Sequence, residues 1–185
     1  MGRRETRQSG ALAEMHERTG NTPVAWEATA DSLLTAARVL RSYRDTFDPQ
    51  KLKAGGPVPD GWKVGAPELL LRGLAMECML KAALAKRHAL VMKGKLIADV
   101  QHHDLARLAD RLGVKLNAKE KHLLKRLTAF IEYGGRYPIP VRAEDHLRLE
   151  RVPGGGRAVL TYWAQPSDDK LFANLLARIE ALSPG

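Results

Sequence analysis

Apolar residues recur at helical spacing along most of this chain. Leu33, Ala36, Ala37 and Leu40 share one face of a stretch that begins at Ala25, and Tyr43 and Phe47 extend that face. Asp48-Pro49 ends it, since a proline cannot continue the hydrogen-bond ladder. The clearest helix is APELLLRGLAMECMLKAALAKR, residues 66–87, where Pro67 suits the first turn and Glu68 complements the positive helix end. HHDLARLADRLG follows after a loop, with Leu105, Leu108 and Leu112 in one stripe and Gly113 as the stop. NAKEKHLLKRLTAFIEYGG starts at Asn117, a good N-cap, with Glu120 placed three residues on as in a capping box. Leu123, Leu127, Phe130 and Ile131 then face a core. SDDKLFANLLARIEAL closes the chain as a helix capped by Ser167 or Asp168.

Elsewhere the period changes or is lost. HLRLERV alternates, PGGGR turns and AVLTYW is rich in strand formers, which predicts a β-hairpin at about 146–164. Residues 49–66 are dense in proline and glycine and read as a long irregular loop. Residues 1–22 are polar and charged, which predicts a mobile N-terminal tail with at most a loose turn around Leu12 and Met15. The expected fold is therefore mainly all-α: an up-and-down bundle of about five helices over residues 23–185, with a small β-hairpin insertion before the last helix.

Composition supports this and adds a partner. Hydrophobic residues make up 44%, mostly Leu and Ala, and aromatics only 5%, a mixture that favours helices. The net charge of +9 points to an acidic partner, with nucleic acid the first candidate. Arg107, Arg111, Lys115, Lys119, Lys121, Lys125 and Arg126 cluster on two consecutive helices, a pattern that an ordinary solvated face shares. Cys78 is the one cysteine and reads as core packing, so no intrachain disulfide or sulfur-rich zinc site is expected. His88 and His122 show no ligand spacing, so neither a metal nor another cofactor is expected. No apolar run is long enough to span a membrane, and the expected setting is cytoplasmic. Wide Leu- and Ala-rich faces suggest a homodimer.

Three places carry candidate chemistry. With Leu70 set at zero on a helical wheel, Glu77 falls at about 340° and Lys81 at about 20°. A charged pair at i,i+4 thus occupies the middle of the apolar face, either to fix helix register or to form part of a site. In IEYGGRYPIP, residues 131–140, two glycines let the chain leave its helix tightly and Pro138 restricts Tyr137 to an extended conformation. Arg136 is then set at a helix end to fork onto a carboxylate or a phosphate, with Tyr137 beside it to stack or hydrogen-bond. Glu77 would orient Arg136, and Arg136 or Lys81 would hold a phosphate; the plainer reading pairs Arg136 with Glu77 and buries Tyr137. His103, at a helix start, and His146 are the candidate acid–base groups, because histidine titrates near neutrality unaided.

LLLRGLAMECMLKAAL, then HHDLARLADRLG, then a helix ending in YGGRYP resembles bacterial HEPN-domain proteins over roughly residues 25–137 and the last helix. The resemblance implies a helical bundle that dimerises. It also implies an RNA-associated protein of toxin–antitoxin or phage-defence type, a metal-independent endoribonuclease when active, partnered by an antitoxin or a nucleotidyltransferase. The family's catalytic signature is an Arg and a His separated by four to six residues, and this chain departs from it. His146 lies too far beyond Arg136, and Arg142 is too close to His146. The second function class is accordingly a non-catalytic module that binds a nucleotide-like ligand or a protein partner.

Overall fold

The computed structural model describes residues 2–46, 60–134, 149–151, 157–159 and 167–182. Helix α1 spans Gly2–Gly20, α2 Pro23–Asp45, α3 Asp60–Lys63 and α4 Gly65–Ala85. Strands β1 (Val91–Met92) and β2 (Lys95–Leu96) follow, then a 3-10 turn at Ala98–Val100, α5 (Leu105–Arg111) and α6 (Ala118–Ala129). The π turn Phe130–Gly134 extends α6. Strands β3 (Leu149–Arg151) and β4 (Arg157–Val159) precede α7 (Asp168–Ala181). The fold is mainly helical with a small antiparallel hairpin, and all five helices expected from periodicity are present.

Helix α4 is the axis. Leu69, Ala75, Met76, Leu80, Ala82, Ala83 and Leu84 are all buried, which covers more than one face. Helices α2, α5, α6 and α7 pack against it. Gly73 permits the tightest approach: a Cβ there would lie 3.0 Å from Ile131 Cγ1 and 3.1 Å from the Leu127 carbonyl oxygen. The end of α6 therefore rests almost directly on the α4 backbone. Leu123, Leu124, Leu127, Phe130 and Ile131 complete the core from that side, and Phe172, Leu175 and Ile179 of α7 close it.

Local signals acted as the sequence implied at several ends. Asn117 accepts from the Glu120 backbone N–H at 3.0 Å while Glu120 accepts from the Asn117 N–H at 2.9 Å, a full capping box. Gly113 adopts φ +73° beyond α5, a left-handed conformation that costs glycine little. In the later hairpin Leu149 pairs with Val159, Glu150 with Ala158 and Arg151 with Arg157. Ser167 precedes α7 but makes no side-chain cap bond.

Two expectations are corrected. Residues 2–20, read as a tail, form α1, whose C-terminal end is tied down. Asn21 Oδ1 accepts from the Leu90 and Val91 N–H groups, both at 2.7 Å, and its Nδ2 donates to the Val91 carbonyl at 2.9 Å. The Gly94 N–H donates to Glu17 at 2.7 Å. These bonds dock α1 on an unforeseen hairpin, β1–β2, which pairs Val91 with Leu96 and Met92 with Lys95. Its turn is Lys93-Gly94, with φ of 52° and 70°. Two positive-φ residues give the primed turn whose twist suits a two-residue hairpin. Within the connection read as a long loop, residues 60–63 form α3; residues 47–59 lie outside the described residues.

Candidate functional site

Glu77 and Lys81 lie one turn apart on α4, with 6% and 4% of their surface exposed. The position of both in the apolar stripe thus does bury them. Lys81 Nζ donates to Glu77 Oε1 at 2.5 Å. Its ammonium also sits 5.6 Å from the centroid of the Trp26 ring, whose Nε1 donates to the Gly20 carbonyl at 2.8 Å. A lysine can be tolerated here because a carboxylate and an aromatic face replace its water.

The other carboxylate oxygen faces outward. His103 Nδ1 is 2.8 Å from Glu77 Oε2, and the His103 side chain is 48% exposed. One buried carboxylate therefore joins Lys81 within the core to His103 at the surface. The segment carrying His103 is held by its backbone as well. Thr128 Oγ1 donates to the His103 carbonyl at 3.2 Å and accepts from the Leu105 N–H at 3.1 Å. Asp104 caps α5 by accepting from the Arg107 N–H at 3.1 Å. The adjacent histidines thus separate: His102 Nδ1 accepts from the Asp104 N–H at 3.2 Å, while His103 reaches Glu77.

Of the six expected site residues, Glu77, Lys81 and His103 come together. Arg136, Tyr137 and His146 lie outside the described residues. Cys78, next to Glu77, is partly buried. Burial first, then the Glu77 charge, pushes its thiol up to about 11, so it stays protonated near neutrality and is a poor nucleophile. Among the described residues no three of His, Cys, Asp and Glu stand close enough to hold a metal ion.

Most of the expected basic cluster is at the surface, with Arg111 paired to Asp99. Arg107, Arg111, Lys115, Lys119, Lys121 and Lys125 are exposed. Arg126 corrects the expected patch: it is buried and bonds Asp168 at the start of α7. Lys121, Lys125 and Thr128 follow i, i+4, i+7 spacing and so share one face of α6. Thr128 is the residue that holds His103, which brings that face to the site.

A second polar cluster was not foreseen. Glu68 is fully buried, bonded by Arg44 and 3.5 Å from Arg72 Nη1. Asp169 bridges Arg72 at 2.9 Å and Arg41 at 2.6 Å, and the Arg72 guanidinium stacks 4.4 Å over Phe172. These bonds tie α2, α4 and α7 together. The spacing of Glu68 and Arg72 in the longest apolar helix was the available signal, and it resembles that of Glu77 and Lys81. Comparison with protein-family models, with curated proteins and with solved structures yields no match.

Proposed function

We propose that this chain is an RNA-associated, HEPN-like protein of toxin–antitoxin or phage-defence type, working in a bacterial cytoplasm. The observation that carries the reading is the union of a basic helix face with an oriented histidine. Lys121 and Lys125 share the face of Thr128, and Thr128 holds the segment that presents His103. Exposed lysines attract phosphates whatever the base sequence, and the net charge of +9 reinforces that attraction. A half-exposed imidazole backed by a carboxylate is oriented to accept or donate a proton. If the bound RNA is cut, His103 is the group in position to act, with no metal required. Arg136 and Tyr137 remain proposed phosphate contacts on the strength of their sequence frame.

The departure from the family's Arg–His spacing supports the second reading, binding of a nucleotide-like ligand or a protein partner without cleavage. An antitoxin or nucleotidyltransferase is the proposed partner in either case, and the chain is proposed to act as a homodimer.

A salt-titrated RNA-binding assay, run beside incubation of total RNA in EDTA, tests both readings. RNA association requires affinity to fall steeply with salt. Lys121→Glu with Lys125→Glu should then weaken binding and flatten the slope by roughly 0.7 for each phosphate that is no longer neutralised. Affinity indifferent to salt and to both substitutions would overturn it. Cleavage in EDTA that disappears in His103→Gln supports the catalytic form; binding without cleavage supports the second reading.

A further inference from the structure

We propose that Glu77 is a positioning residue for His103: it takes the hydrogen bond from Nδ1, so that Nε2 is presented as a proton acceptor, while Lys81 holds the carboxylate from the interior. An ionised carboxylate only accepts hydrogen bonds, so the 2.8 Å contact between Glu77 Oε2 and His103 Nδ1 places the proton on Nδ1. In the neutral ring this leaves the lone pair on Nε2. Free imidazole side chains in water favour the opposite tautomer, with the proton on Nε2, so the protein has to impose this one.

The surroundings explain how it is imposed. Glu77 is nearly buried, and a buried carboxylate needs compensation for its lost water. Lys81 supplies it from the interior at 2.5 Å, and the Trp26 ring covers the ammonium. The carboxylate is anchored on α4, the central helix, and the Thr128 hydroxyl fixes the His103 backbone from α6. His103 is therefore held at its backbone and at Nδ1. The proton transfer this favours is simple to balance. Nε2 takes the proton of a substrate hydroxyl, the O–H bond breaks as N–H forms, and the oxygen keeps the electron pair. The imidazolium that forms keeps both protons and is stabilised by the Glu77 carboxylate at Nδ1.

What His103 acts on rests on the RNA reading above; the ring geometry does not. The test uses the 185-residue chain with nitrogen-15-labelled histidine, His103 being assigned by the disappearance of its signals in His103→Gln. The expected result is a neutral His103 with its proton on Nδ1. A proton on Nε2 in the wild-type chain would overturn the proposal. A second measurement follows carbethoxylation of His103 by diethyl pyrocarbonate, located by peptide mass mapping. Glu77→Gln, which removes the charge and keeps the shape, should slow it several-fold with an unchanged melting temperature. Equal rates would show that Glu77 does not act through His103. If loss of the charge strands Lys81 and unfolds the chain, Glu77→Gln combined with Lys81→Met removes both charges and gives the same comparison. Failure to cut RNA would count against the catalytic form of the proposed function alone; the ring measurements decide the positioning role.

Discussion

Glu68 shows how one residue can belong to two opposing forces. It has no solvent exposure, and burial pushes its carboxyl above the ordinary carboxylate range. Arg44 and Arg72 pull the other way, and burial prevails. A carboxyl whose folded value is raised holds its proton more tightly in the folded chain. Its contribution to stability is fully present below the unfolded value and is lost as pH rises through the folded value. Glu68→Gln is uncharged at every pH and lacks this dependence. In urea melts, the stability of the wild type minus that of the variant should therefore decline as pH rises from about 4 through the mildly acidic range. A difference that stays flat, or grows, would mean that the arginines prevail instead. The burial of Glu77 and Lys81 was legible because their spacing puts them between leucines. That Glu77 would find His103 was not, because the two lie on separate elements and no local pattern links them.

Elements are shaped where backbone meets backbone, and Gly73 is the sharpest case. In an isolated helix, replacing glycine by alanine adds roughly 1 kcal/mol. Here the new Cβ would stand 3.1 Å from the Leu127 carbonyl and 3.0 Å from Ile131 Cγ1. The carbonyl belongs to a helix and has little room to yield. Overpacking of this kind costs about 1–3 kcal/mol, so Gly73→Ala should lower the midpoint of thermal unfolding in spite of its better helix propensity. A raised midpoint would show that α6 can shift away. Asn117 offers the opposite lesson, since its capping box is wholly local and was legible three residues at a time. Asn117→Ala should cost about 1 kcal/mol in chemical denaturation. The hairpin at Lys93-Gly94 was missed although its turn residues were present, because strands of two residues each are too short to show alternation. The tail-like composition of residues 1–22 likewise concealed α1, which is held by hydrogen bonds that Glu17 and Asn21 accept from the N–H groups of a distant segment.

At the scale of the whole molecule, α4 is covered by its own chain, while α2 is not fully covered. Val39 and Tyr43, one turn apart on α2, are 66% and 49% exposed, and Val24 is exposed nearer its start. An apolar stripe of this kind suits self-association, in line with the proposed homodimer. Light scattering at micromolar concentration should give twice the chain mass, and Val39→Asp with Tyr43→Asp should return it to one; a monomer mass for the wild type would exclude the dimer at that concentration. No helix among the described residues is long and apolar enough to cross a membrane. By itself the sequence determined five of the helices, the capping box, the later hairpin and the burial of Glu77 with Lys81, because each follows from spacings of a few residues. Tertiary structure alone decided that α1 docks on an early hairpin, that Arg126 turns inward to Asp168, and that Glu68 sits among arginines of α2 and α4. It also decided that His103 closes onto Glu77. A charge buried on one helix fixes only that a partner must exist, and the packing of the others selects which residue it is.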